Sequence, residues 1–111
     1  MSDILQQLAA TLEERKSADS EKSYVASLHE KGLNKILEKI GEEATEVVLA
    51  AKDATAGDNR KALVGEVADL WFHSMVMLSH LNIDVNEVLE CLGDRFGVSG
   101  LEEKASRDNR D

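Results

Sequence analysis

The chain has 111 residues, of which 42% are hydrophobic and 32% charged, with no proline and a formal net charge of −9. That length suggests one domain over residues 1–111, large enough for a core but small for a self-sufficient helical bundle, so a homodimer or higher homo-oligomer is expected. The negative charge argues against nucleic acid, whose phosphates are bound by basic surfaces, but leaves open a nucleotide held through a metal ion.

No apolar run reaches the length of a bilayer span, and the N-terminus lacks a basic segment followed by an apolar one, so no membrane partner and a cytoplasmic location are expected. The single cysteine, Cys91, excludes a disulfide within one chain. Among Val88, Leu89 and Leu92 it reads as a small buried hydrophobe.

The lack of proline favours long helices. Ser2 can cap a first helix running to about Lys16, with Ile4, Leu5, Leu8 and Leu12 on one side. Ser23 can cap a short helix carrying Tyr24, Val25 and Leu28, stopped by Gly32; Tyr24 is either a core aromatic, the favoured reading, or a contact for a nucleotide. A long helix follows from Leu33 to Ala54. Its apolar stripe is Leu33, Leu37, Ile40, Ala44, Val47, Val48 and Ala51, and Gly41 in its middle costs about 1 kcal/mol relative to alanine, which points to a close approach there. Gly57, Asp58 and Asn59 break the pattern, and Asp58 or Asn59 can cap the next helix, Arg60 to Leu81. That helix is apolar on more than one face, which predicts burial, in part against another subunit. Asp84 with Glu87 is a capping-box pattern for a helix from Val85 to about Gly93, and Ser99 with Glu102 repeats it before a final short helix.

The chemistry lies in five acids. Glu42, Glu43 and Glu46 occupy one long helix and Glu66 and Asp69 the next. Residues three and four apart share a helix face, so each helix presents an acidic edge, and a short connection brings the two edges side by side. Glu66 and Asp69 interrupt an apolar run, so at least partial burial is expected there. Converging carboxylates repel one another, and burial adds a desolvation cost that only partners offset. Lys35 and Lys39 cannot neutralise five acids. A hard divalent cation such as Mg²⁺, which takes carboxylate, water and phosphate oxygens, can. The competing reading is a solvated acidic face paired with lysines. His73, one turn beyond Asp69, reads as a hydrogen-bonded core residue.

The segments Lys39-Ile40-Gly41-Glu42-Glu43-Ala44-Thr45-Glu46 and Glu66-Val67-Ala68-Asp69-Leu70-Trp71-Phe72-His73 resemble the signature of the MazG-like all-α pyrophosphohydrolase superfamily. Within it, Glu14-Arg15-Lys16, Ser23-Tyr24-Val25 and Gly100 to Arg107 resemble the phosphoribosyl-ATP pyrophosphohydrolases of histidine biosynthesis, and the likeness extends from about Leu8 to Arg107. The resemblance implies an all-α bundle and Mg²⁺-dependent cleavage of phosphoribosyl-ATP to phosphoribosyl-AMP and pyrophosphate, while the second apolar face of the Arg60 to Leu81 helix points to a dimer built around a four-helix core. By position the resemblance assigns Glu43, Glu46, Glu66 and Asp69 to metal and leaves Glu42 to orient or deprotonate water, or to ligate a second ion. Lys39 and Lys35 would contact phosphate. Arg15, Lys104 and Arg107 would lie near the substrate, although Arg15 also suits a helix C-terminus and the tail residues an ordinary solvated end.

Two other functions fit the same residues. One is a house-cleaning MazG-like enzyme that removes pyrophosphate from ordinary or damaged nucleoside triphosphates. The other is a non-catalytic helical dimerisation module, against which the acids inside the apolar run are the main sequence feature.

Overall fold

The computed structural model describes residues 2–54 and 59–97, and five α-helices follow one another within them. They are α1 (Ser2–Arg15), α2 (Tyr24–Lys31), α3 (Leu33–Asp53), α4 (Arg60–His80) and α5 (Val85–Phe96). No strand occurs among the described residues, so the all-α class expected from the sequence is the observed one. No described helix is long and apolar enough to cross a membrane. The short helix expected after Ser99 lies outside the described residues, as do Asp58, Lys104 and Arg107.

The helix ends follow local chemistry. Ser23 caps α2, its hydroxyl accepting from the Ala26 N–H at 3.2 Å. Gly32 ends α2 and begins α3 with a φ of +98°, a conformation L side chains rarely adopt, while its N–H donates to the Leu28 carbonyl at 3.0 Å. Asp84 and Glu87 form the expected capping box on α5. The helix continues past Gly93, however, to Phe96. Gly93 is buried inside it, and Gly97, in the left-handed region at φ +65°, is the residue that ends it. Asn59 precedes α4 without a side-chain cap. Among the described residues the close approach expected at Gly41 is absent, since a Cβ placed there would meet no atom within 4 Å.

Leu12, Leu28, Ile36 and Val76 are almost completely shielded, and Val25, Met75 and Val85 complete the core around them. Ile36 lies near the start of α3 and Val76 near the end of α4, so the two long helices run antiparallel. Their mutual contact is the most extensive in the molecule, and α1, α2 and α5 pack around this end of the pair.

The other end is uncovered. Val48 and Leu49 of α3 are each 59% exposed, and Val64 and Trp71 of α4 are 69% and 57% exposed. The burial of α4 on several faces expected from its composition is therefore not achieved among the described residues. Cys91 also differs from expectation: it is exposed. In α5 Val85 and Gly93 are buried and Leu89 is half-buried, whereas Val88 and Leu92, on the same apolar face, and Cys91 beside it are exposed, so only one edge of that face is covered.

Candidate functional site

Where α3 and α4 lie side by side, three of the acids meet. Glu43 and Glu46 are one turn apart on α3, Glu66 projects from α4, and one carboxylate oxygen of each lies within 4.8 Å of the other two. Glu43 is only 8% exposed, and its Oε2 is buried with no hydrogen-bond partner. Burial, followed by the charges of Glu46 and Asp69, pushes the Glu43 carboxyl above its ordinary range. Glu66 is also pushed up, by desolvation and by a hydrogen bond with Glu46 that requires a proton between the two groups. Both shifts have the sign expected of acids crowded together without a cation.

The remaining candidates take different places. Asp69 is exposed and stands outside the close group, although near enough for its charge to act on Glu43 and Glu66. Glu42 is also outside it, its Oε1 3.3 Å from the Lys39 ammonium. That neighbour pushes the Lys39 ammonium up and keeps it charged beside the acids. Lys35 lies on the same helix face as Lys39, Glu42 and Glu46 but is paired with Glu38 at 3.1 Å. Arg15 is exposed in the last turn of α1, and it is the next residue, Lys16, that makes contacts, to Glu13 at 2.9 Å and to Asn82 at 3.2 Å.

Two residues beside the acids carry more than their sequence context suggested. His73 is buried, as expected, but its ring is tied on both sides: Nδ1 donates to the Asp69 carbonyl at 2.9 Å and Nε2 lies 2.7 Å from the Tyr24 hydroxyl. Its Nδ1 is also 3.7 Å from Glu43 Oε1. Tyr24, favoured above as a core aromatic, is instead half exposed, stacked on Phe72 with ring centroids 6.2 Å apart. Tyr24 and His73 are 49 positions apart, and nothing local in the sequence signals that they meet.

Residues 5–96 match the family model for phosphoribosyl-ATP pyrophosphohydrolase, a span that includes all five acids. The chain belongs to this family. It is 56% identical over 109 residues to a protein of Hydrogenovibrio crunogenus named phosphoribosyl-ATP pyrophosphatase, an alignment covering 98% of this chain and 96% of that relative.

For a member of the phosphoribosyl-ATP pyrophosphohydrolase family, the acidic group fits a hard divalent ion. Octahedral Mg²⁺ with ligands at about 2.1 Å sets its oxygens about 3 to about 4.2 Å apart, so the observed spacing needs only a small inward rotation of side chains. The donor set is all oxygen, and Oε2 of Glu43 is a buried acceptor that no protein donor satisfies. Glu43, Glu46 and Glu66 are the residues that would hold the ion.

Proposed function

We propose that this chain hydrolyses phosphoribosyl-ATP to phosphoribosyl-AMP and pyrophosphate, the second step of histidine biosynthesis, in the cytoplasm and as a homodimer that depends on Mg²⁺. The observation that carries the reading is the meeting of Glu43, Glu46 and Glu66, from two helices, inside a chain of this family. An enzyme of this kind must accept a polyanion onto a protein of net charge −9, and the charge at the acidic centre is what has to change sign locally. Mg²⁺ bound there supplies that positive charge and polarises water for attack on the α–β phosphoanhydride.

The chain's own residues do the rest. Glu43, Glu46 and Glu66 hold the centre, and Asp69, exposed at its edge, completes it by turning one side chain inward. Glu42, half exposed and just outside the group, is placed to orient the water or take its proton. Lys39 offers a charged ammonium that can leave Glu42 for a phosphate oxygen. Lys35 has the weaker claim, being two turns from Glu42 and paired with Glu38.

The test is pyrophosphate release from phosphoribosyl-ATP and from a panel of ordinary nucleoside triphosphates, with Mg²⁺ and with chelator. Rapid cleavage of phosphoribosyl-ATP that stops on chelation and in Glu66→Gln is expected. Fast cleavage of dUTP or dCTP beside sluggish phosphoribosyl-ATP turnover would favour the house-cleaning activity, and no pyrophosphate from any of them would favour the dimerisation module.

A further inference from the structure

We propose that His73 is a positioning residue for the acidic centre: clamped between the Tyr24 hydroxyl and the Asp69 carbonyl, it presents Nδ1–H to Glu43 Oε1 and so leaves the unpartnered Oε2 to the metal. The inference rests on the metal reading above and adds to it a device made of residues that bind neither metal nor substrate.

The hydrogen-bond directions follow from the chemistry of the groups. A carbonyl oxygen only accepts, so Nδ1 of His73 carries the proton it donates to Asp69 at 2.9 Å. In the uncharged ring Nε2 is then a lone pair, and it takes the Tyr24 hydroxyl proton at 2.7 Å. With both nitrogens engaged, by α2 on one side and by the preceding turn of α4 on the other, the ring cannot flip or rotate without losing a bond. Phe72 meets it edge-on, with centroids 5.1 Å apart, and closes the remaining side.

The fixed ring faces the carboxylate with the least freedom. Glu43 is the only one of the three acids that is buried, and its two oxygens are not equivalent: Oε1 is 3.7 Å from His73 Nδ1, while Oε2 has no partner. At that distance the contact is an electrostatic guide that a small movement of Glu43 turns into a shared hydrogen bond. A ligating carboxylate commonly has such a partner on its other oxygen, and losing it typically costs on the order of 10-fold to 100-fold in metal affinity or activity. The same geometry assigns Tyr24 an inward task. Its hydroxyl proton is given to His73 and is not available to a phosphate.

The measurement is Mn²⁺ binding to chelator-treated protein, followed by the loss of the free-ion electron paramagnetic resonance signal, together with kcat and KM for phosphoribosyl-ATP. Four proteins are compared: wild type, His73→Asn, His73→Gln and Tyr24→Phe. The asparagine amide can stand where Nδ1–H stands, whereas the glutamine amide reaches the Nε2 position. His73→Gln is therefore expected to weaken Mn²⁺ binding on the order of 10-fold and to lower kcat with KM little changed. His73→Asn retains most of both, and Tyr24→Phe, which frees the ring without touching Glu43, falls between them.

Wild-type affinity and kcat in His73→Gln would overturn the proposal, as would equal losses in the asparagine and glutamine variants that track their melting temperatures. Should His73→Gln fail to fold, Tyr24→Phe decides, since Tyr24 is half exposed and tolerates loss of its hydroxyl: unchanged Mn²⁺ affinity and kcat there would overturn the clamp. A wild-type protein that takes up no Mn²⁺ would overturn the metal reading itself, a different result from a wild type that binds beside variants that bind equally well.

Discussion

Glu46 on α3 and Glu66 on α4 each bring a carboxylate oxygen within 4.8 Å of the other and of Glu43. Without a cation this meeting opposes folding, because desolvation and mutual charge both push Glu43 and Glu66 toward protonation. Glu66→Gln removes one of the repelling charges. The expected outcome is a variant that melts at a higher temperature than wild type in chelator, has lost the upward shift wild type shows on adding Mg²⁺, and releases no pyrophosphate. A variant less stable than wild type in chelator would show that the acids are well compensated without metal.

The same raised carboxyls make metal binding compete with protons. For an acid whose folded pKa lies above its unfolded value, the folded state holds more protons in the interval between the two, so metal must displace them there. Apparent Mg²⁺ affinity should therefore decline as pH is lowered from about 7.5 to about 5, and the decline should be shallower in Glu66→Gln. Titrating the Mg²⁺-dependent Tm shift at several pH values checks this; an affinity independent of pH would contradict it.

A second titrating feature lies elsewhere. His29 of α2 and His80 of α4 stack with centroids 5.1 Å apart and share a hydrogen bond between their Nδ1 atoms at 2.9 Å, which requires one of the two to be unprotonated. Burial, then the charges of His80 and Lys16, hold His29 below its usual value of 6.5, with Glu13 acting against them. A depressed folded pKa means that the unfolded chain takes up protons first. The contribution to stability is thus fully present above pH 6.5 and is lost as pH falls through the folded pKa. In chelator, the Tm of wild type should drop relative to His29→Phe as pH is lowered from about 7.5 to about 5. Parallel profiles for the two proteins would exclude the pair as a source of acid sensitivity.

The all-α fold and the neighbouring acidic edges were legible because both depend on a period of 3.6 residues and a short connection, which are local properties. Leu12, Leu28, Ile36, Ile40 and Val76 carry that period and form or line the core. What local pattern could not give was the choice among apolar faces. Val64 and Trp71 look as buried in sequence as Met75 and Val76, yet the three smaller helices cover only one end of the α3–α4 pair. Cys91 failed for the same reason, since six apolar residues of α5, Val85, Val88, Leu89, Cys91, Leu92 and Phe96, compete for a narrow covered edge. Within the site, helical spacing located Glu43, Glu46 and Glu66, but could not set Asp69 slightly apart or turn Lys35 toward Glu38. The Tyr24–His73 contact depends on how α2 packs against α4, which no spacing rule reports.

Ile36 tests the core that holds the acids in place. It is 0% exposed and lies two turns before Glu43 on the same helix. Truncating such a residue removes its transfer free energy and leaves a cavity. Ile36→Ala should therefore lose about 2–5 kcal/mol and Ile36→Val about 0.5–1.5 kcal/mol. Chemical denaturation at one protein concentration measures both. A loss in Ile36→Ala no larger than in Ile36→Val would mean that the core near α3 relaxes to fill the space.

The uncovered end of the α3–α4 pair makes the strongest demand for a partner. Val64, Ala68 and Trp71 recur at helical spacing along one exposed face of α4, and Val48 and Leu49 are exposed on α3 beside it. Contiguous apolar surface of this kind on a small chain marks an interaction site. A second copy, supplying its own α3 and α4, would bury it as a four-helix core, and a twofold interface sets the same patch against itself. Val64→Glu places a charge in that contact without touching Leu12, Leu28, Ile36 or Val76, so helicity should survive. Analytical ultracentrifugation should find wild type at twice the chain mass and Val64→Glu at the mass of a single chain. A wild type that sediments as a monomer at micromolar concentration would instead leave the exposed face to a different protein.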